Sequence, residues 1–239
     1  MPNSYFQFKQ FIIHQQKAAM KVCTDACLFG AWVVSKMQEN KFNQNTRALD
    51  IGTGTGLLAL MLAQQFQGSI DAIEIDDNAF IQAMENSKAS PWSNRVFVHH
   101  TPLSDWTETG YDLIISNPPF FEQDLQSPDQ QRNLALHDTG LSLADLWEEV
   151  QRRLHQDGQF AVLLPYHRLY DCLQHAKKHH FFLNEQVLVH QTEKHAPFRV
   201  MLLFGREQTE TLCNSIIIKK EGYYSVEFVT LLKDYYLYL

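Results

Sequence analysis

The stretch "RALDIGTGTGLLALMLAQQFQGSIDAIEID", residues 47–76, decides the fold. Its first five residues form a short apolar run of strand length that stops at glycines. "LLALMLAQQF" then has helical character, and "SIDAIEI" reads as a second strand. A helix between two such strands is the crossover that parallel neighbours require.

The same alternation continues downstream. A helix is predicted from about Asp77 to Ala89, followed by strands at "RVFVHH" (95–100) and "YDLIIS" (111–116). "SLADLWEEVQRRL" (142–154) reads as a helix, "GQFAVLLP" (158–165) as a strand and "HRLYDCLQHAKKH" (167–179) as a helix. "FFLNEQVLVH" (181–190) and "RVMLLFG" (199–205) complete seven strands. Their order implies an α/β fold with a doubly wound, Rossmann-like, mostly parallel sheet. The link between the last two strands contains proline and is too short for a helical crossover, so the terminal strand should be antiparallel. "SVEFVTLLKDYYLYL" reads as a closing helix whose aromatics and leucines pack as core.

Residues 1–46 precede this pattern as an N-terminal segment, and 47–239 form the main domain. The segment carries aromatics at Tyr5, Phe6, Phe8 and Phe11, then a helix over "TDACLFGAWVVSKM" with Thr24 or Asp25 as its N-cap.

Composition sets outer limits. The chain has 239 residues, 45% hydrophobic and 20% charged, enough for one substantial core. No run approaches the roughly eighteen apolar residues of a membrane span. The start, "MPNSYFQFKQ", lacks the basic-then-apolar order of a secretion signal, so a cytoplasmic location is expected. Cys23, Cys27, Cys172 and Cys213 fit neither a disulfide framework nor a paired zinc site and read as reduced thiols. Cys172, His175 and His179 have helical spacing that imitates metal ligands, but no carboxylate partner accompanies them, and no metal is expected. A net charge of −7 argues against a protein coated in basic patches, while a local nucleic-acid groove stays compatible with it.

In a doubly wound sheet, ligands bind beyond the carboxyl ends of the strands. After the first strand come Gly52, Gly54 and Gly56. A dinucleotide fingerprint would place its third glycine at position 57, which is leucine, and the Lys-Ser/Thr ending of a P-loop is missing. The loop instead resembles that of S-adenosylmethionine-dependent methyltransferases, which implies that cofactor and the corresponding fold. Glu74, about twenty residues on, sits where a carboxylate accepts from ribose hydroxyls. Asp76 and Asp77 suit the start of the next helix. Asp50 either holds the loop through backbone amides or contacts the methionine amine. Methyltransferases of this class carry an acid just beyond the third strand for the adenine amino group. Here that place falls near Pro102, with Leu103 offering apolar contact and a backbone amide and Asp105 within reach.

The fourth strand ends in Asn117-Pro118-Pro119-Phe120. An exocyclic amino nitrogen on adenine is a poor nucleophile because its lone pair is delocalised. The Asn117 side-chain oxygen and the Pro118 carbonyl can each accept one of its N–H groups. That draws the nitrogen towards a tetrahedral shape and aims it at the sulfonium methyl, a matter of preorganisation. Phe120 supplies a stacking face for a flat substrate.

"FKQFIIHQQKAAMKVCTDACLFGAW", "NPPFFEQDLQSPDQQRNLALHDTGLSLADLW" and "APFRVMLLFG" together resemble the valine-tRNA adenine-N6 methyltransferases over nearly the whole chain. The resemblance implies methylation of N6 on the adenine just 3′ of the anticodon, with valine tRNA as partner. Carried over, Asn117, Pro118, Pro119 and Phe120 form the catalytic turn. Asp50, Gly52, Gly54, Gly56, Glu74 and Leu103 hold the cofactor, Lys21, Thr24 and Asp25 close its methionine end, and Arg132 contacts RNA. A basic rim of Lys17, Lys21, Arg132, Lys194 and Arg199 would meet phosphates. A monomer is the default expectation. The rival readings are a protein-glutamine N5-methyltransferase, whose substrate amide offers the same two N–H groups, an N6-adenine enzyme acting on rRNA or DNA, and a cofactor-binding module without activity.

Overall fold

The computed structural model describes residues 3–39, 43–118 and 141–239. Among the described residues, nine strands form the main sheet. In chain order they are β3 (Arg47–Ile51), β4 (Ser69–Glu74), β5 (Val96–His100), β6 (Tyr111–Ser116), β7 (Leu154–Pro165), β8 (Phe182–Thr192), β9 (Arg199–Gly205), β10 (Leu212–Lys220) and β11 (Tyr223–Tyr224). Across the sheet they run β11-β10-β8-β9-β7-β6-β3-β4-β5. β3 through β9 are the seven strands expected, and β3 pairs in parallel with both β4 and β6, so the strand order reverses there.

β9 is antiparallel, as the short link requires, yet it lies inside the sheet, bonded to β7 on one side and β8 on the other. The sheet exceeds the seven strands read from the sequence because "LCNSIIIKK" adds β10, parallel to β8. A turn through Glu221 and Gly222, both at positive φ, then brings β11 back against it.

Alternate residues along each strand sort to opposite faces. Ala48, Leu113, Ile115, Ala161, Leu163, Met201 and Leu203 join one core beneath α1 (Thr24–Glu39) and α2 (Leu57–Ala63). Leu49, Ile114, Phe160, Val162, Leu202 and Phe204 join the other, against α4 (Leu143–Arg153) and α5 (Leu169–Lys178). Between them in sequence stands α3 (Asp77–Ala89). Asp76 caps it by accepting from the Ala79 amide at 2.8 Å, and Ser142 and Asp145 form a capping box on α4. α1 begins at Thr24, so Thr24 and Asp25 occupy its first turn.

The N-terminal segment is part of the main core. β1 (Tyr5–Gln7) and β2 (Ile12–His14) make a small hairpin, and Phe8, Phe11 and Ile13 are buried with α1 and α2. The closing helix, α6 (Val226–Leu232), is shorter than expected. Beyond it the chain turns inward: Tyr235 donates its hydroxyl to the Met61 carbonyl at 3.1 Å, and Tyr236 bridges to Phe8. Cys172 lies in the second core, and His179 bonds Gln151 at 2.7 Å. Among the described residues no His, Cys, Asp or Glu group is arranged to hold a metal ion, and no helix is long and apolar enough to cross a membrane.

Trp147 is wholly buried, with Phe160, Phe181 and Phe204 rings 4.9–5.3 Å from it. Trp147→Ala should lower the unfolding free energy by about 3–5 kcal/mol. Urea denaturation measures this, and a loss below about 1 kcal/mol would contradict the packing described.

Candidate active site

Register builds the site. Ile51 at the end of β3 stands level with Ile73 of β4 and Ser116 of β6. The residues that follow on the three strands, Gly52, Glu74 and Asn117, therefore emerge side by side at one edge. The Ser116 hydroxyl bonds the Ile51 carbonyl at 2.9 Å and ties the third strand to the first at this point.

The loop after β3 turns through Gly52, Gly54 and Gly56, with φ of 69°, 60° and 81°. These left-handed values favour glycine. The Gly52 and Thr53 amides both donate to the Ile73 carbonyl at 3.0 Å, and the Gly56 amide donates to Thr53. A Cβ at Gly52 or Gly54 would meet no atom within 4 Å, so the space above the loop is open.

Asp50 supports this loop from below and is 0% exposed. One carboxyl oxygen accepts from the Thr53 hydroxyl at 2.5 Å and from the Ala59 amide at 3.2 Å. Its other oxygen, Oδ1, is buried without a partner among the described residues. Of its two expected roles, this geometry matches that of holding the loop. Burial pushes the carboxyl up to about 7, despite the lowering effect of both donors.

Glu74 accepts from the Gly54 amide at 2.8 Å through Oε2, and from the Ile75 and Asp76 amides at 2.9 Å through Oε1. Three of a carboxylate's roughly four acceptor sites are thus taken by main chain, leaving capacity for a hydroxyl. Beside it Ile75 is 54% exposed, and the His100 ring stacks on Phe80 at 4.9 Å. Leu103 is buried in a short 3-10 helix, Leu103–Asp105, within the second core. Asp105 is exposed and accepts from the Ser104 hydroxyl.

The N-terminal segment reaches this edge through Asn86 of α3. Its side chain exchanges bonds with the His14 backbone at 2.8 and 3.0 Å and donates to the Thr55 carbonyl at 2.9 Å. Gln82 accepts from the Lys17 amide, and Gln15 accepts from the Val22 amide. Sequence reading missed these three residues. For Gln82 and Asn86 the available signal was polar side chains on the face of α3 that should be apolar; Gln15 carried none.

The cationic residues expected to form a rim are largely engaged. Lys17 pairs with Glu85 at 2.5 Å, and Lys21 donates to the Gln15 and Ala18 carbonyls. Arg199 pairs with Asp25 at 2.8 Å. Burial alone would raise the Asp25 carboxyl, but the Cys23 thiol and the Arg199 guanidinium hold it below its usual value. Thr24 and Lys194 are exposed. Asn117 is half-buried and Pro118 buried, whereas Pro119, Phe120 and Arg132 lie outside the described residues.

A glycine loop with open space above it, a carboxylate one strand away and Asn117-Pro118 one strand to the other side are the arrangement expected of an S-adenosylmethionine-dependent methyltransferase. Comparison with known proteins agrees: residues 30–176 match the family model described as methyltransferase small domain. A predicted O-methyltransferase of Agrobacterium tumefaciens shares the fold, with a TM-score of 0.66 at 14% identity, covering 88% of this chain and 96% of that one. So does the ribosomal protein L11 methylase of Lactobacillus delbrueckii subsp. bulgaricus, with a TM-score of 0.54 at 20% identity, covering 75% and 77%. The chain belongs to the tRNA1(Val) (adenine(37)-N6)-methyltransferase family. The member from Parabacteroides distasonis is 38% identical over 242 residues, 99% of each chain, and that from Dyadobacter fermentans 39% over 246 residues, 98% of each.

The folded protein holds the Asp50 proton more tightly than the unfolded chain, where the value lies near 4. Its stabilising effect is complete below about pH 4 and lost as pH rises through about 7. Asp50→Asn should remove that fall. Urea unfolding of both proteins across this range tests it, and parallel curves would count against the assignment.

Proposed function

We propose that the chain methylates N6 of the adenine 3′ of the anticodon, position 37, in a valine tRNA. The observation that carries this reading is the row of Gly52, Glu74 and Asn117 set by the strand register. Likeness over the full chain to relatives named for this activity supports the choice of substrate. It also favours adenine over a protein glutamine, whose amide the same turn would fit.

S-adenosylmethionine, when bound, supplies the electrophilic methyl group. Gly52 and Gly54 leave room for it, and Glu74 offers its remaining acceptor capacity to a ribose hydroxyl. Ile75 presents apolar surface for the base, and the segment at Leu103 offers main-chain amides beside it. Lys21, Thr24 and Asp25 serve the methionine end, Asp25 as a carboxylate already bonded to Arg199. Asp50 acts through the loop it supports. Asn117 and the Pro118 carbonyl accept the two N–H groups of the target amine and orient its lone pair, while Pro119 stiffens the turn and Phe120 stacks on the base. The N-terminal segment, 1–46, covers the site, anchored by Asn86. Arg132 and Lys17 contact RNA, and for Lys17 this requires release from Glu85.

Nucleoside mass spectrometry of valine tRNA from a deletion strain, with and without the gene restored, tests the assignment. N6-methyladenosine at position 37 should vanish and return; an unchanged level would refute it. Asn117→Ala should reduce turnover about a hundred- to a thousandfold with little change in cofactor affinity. Glu74→Ala should shrink the rise in melting temperature that the cofactor confers, which follows affinity. Labelled-methyl transfer and thermal melting read these two outcomes, and a fully active Asn117→Ala enzyme would defeat the mechanism.

A further inference from the structure

Residues 101–110 leave β5 at the cofactor edge and return to start β6. Two carbonyls of this segment, those of Leu103 and Trp106, converge on one nitrogen, Nη2 of Arg153, the former at 2.9 Å. Arg153 is the last residue of α4 and is 1% exposed. Its Nη1 pairs with Glu149 one turn earlier, and its own carbonyl accepts from the Gly110 amide at 2.9 Å. A single residue thus holds the segment near its start, at its middle and at its end.

A guanidinium taken out of water is costly unless paired and fully bonded, and an apolar side chain would fill the same volume without that cost. What the arginine adds is direction. A peptide group is planar and trans, so its carbonyl and N–H point opposite ways. Turning the Leu103 carbonyl towards Arg153 turns the Ser104 N–H away from it, on the exposed side of the segment. Pro102, just before, has no N–H to offer and no carboxylate. The ring nitrogens of adenine are acceptors, and oriented peptide N–H groups are their complement.

We propose that Arg153 is a positioning residue for the adenine of the cofactor: by gripping the Leu103 and Trp106 carbonyls it aims the main-chain donors around 103–104 at the ring. This rests on the reading that places the cofactor base against Leu103.

The test is isothermal titration of the whole chain with S-adenosylhomocysteine and its inosyl counterpart. In the latter a donor N–H replaces the acceptor at ring position 1 and a carbonyl replaces the 6-amino group. The wild-type protein should bind the inosyl compound at least about tenfold more weakly, the effect of one well-oriented hydrogen bond. Arg153→Met should weaken the adenosyl compound about tenfold and bring the two affinities close together. Arg153→Lys, which keeps the charge beside Glu149 but loses the planar fork, should give an intermediate ratio and decides the matter if the methionine variant does not fold. A folded variant that discriminates as well as wild type, whatever its melting temperature, overturns the role of Arg153. A wild-type protein that binds both compounds equally overturns the adenine site at Leu103 and the proposal with it.

Discussion

Parallel hydrogen bonding that sets Ile51 level with both Ile73 and Ser116 is the constraint on which the rest depends. It turns three distant stretches of chain into one edge bearing a loop, a carboxylate and the Asn117-Pro118 pair. A slip of one residue in either pairing would send Glu74 or Asn117 to the wrong face, because side chains alternate along a strand. The two cores hold the register in place: Ala48 and Leu113 face one, and Leu49 and Ile114 the other.

Around that edge, buried polar groups do the fine placement. Asp50 ties the glycine loop to the start of α2, and Glu74 ties it to the start of α3. Asn86 joins the loop to the N-terminal segment, and Arg153 joins α4 to the segment after β5. Each is a side chain with at least one donor or acceptor that meets main chain. Such bonds fix backbone position, and backbone position decides where a cofactor can lie. The net charge of −7 fits this design, since the site is organised by main-chain donors rather than by a wall of cations.

Much of the fold was legible in the chain. The bounds of β3, β6 and α3 match the sequence reading because apolar runs there end at glycine, at Asn-Pro and at the Asp76 cap. β10 was missed because "LCNSIIIKK" stands after the seven expected strands without a crossover helix to announce it. The closing helix was read too long because Tyr235 and Tyr236 carry helical spacing, yet their rings go to the core from a turn. The engagement of the expected cations left no mark in the sequence: Lys17 and Arg199 find partners far along the chain, at Glu85 and Asp25, and Lys21 bonds the nearby Gln15 and Ala18 carbonyls.

Local pattern was enough to specify the strand–helix alternation, the glycine turn, the acid after the second strand and the amide-proline turn after the fourth. These are short-range properties, written in residue type and spacing. Folding alone decided which of those pieces become neighbours, that β9 enters the sheet between β7 and β8, and that Asn86 and Arg153 hold the edges of the site. The physical reason is that a buried polar side chain must find its partner in space, and the partner's place in the chain leaves no mark on the residues nearby.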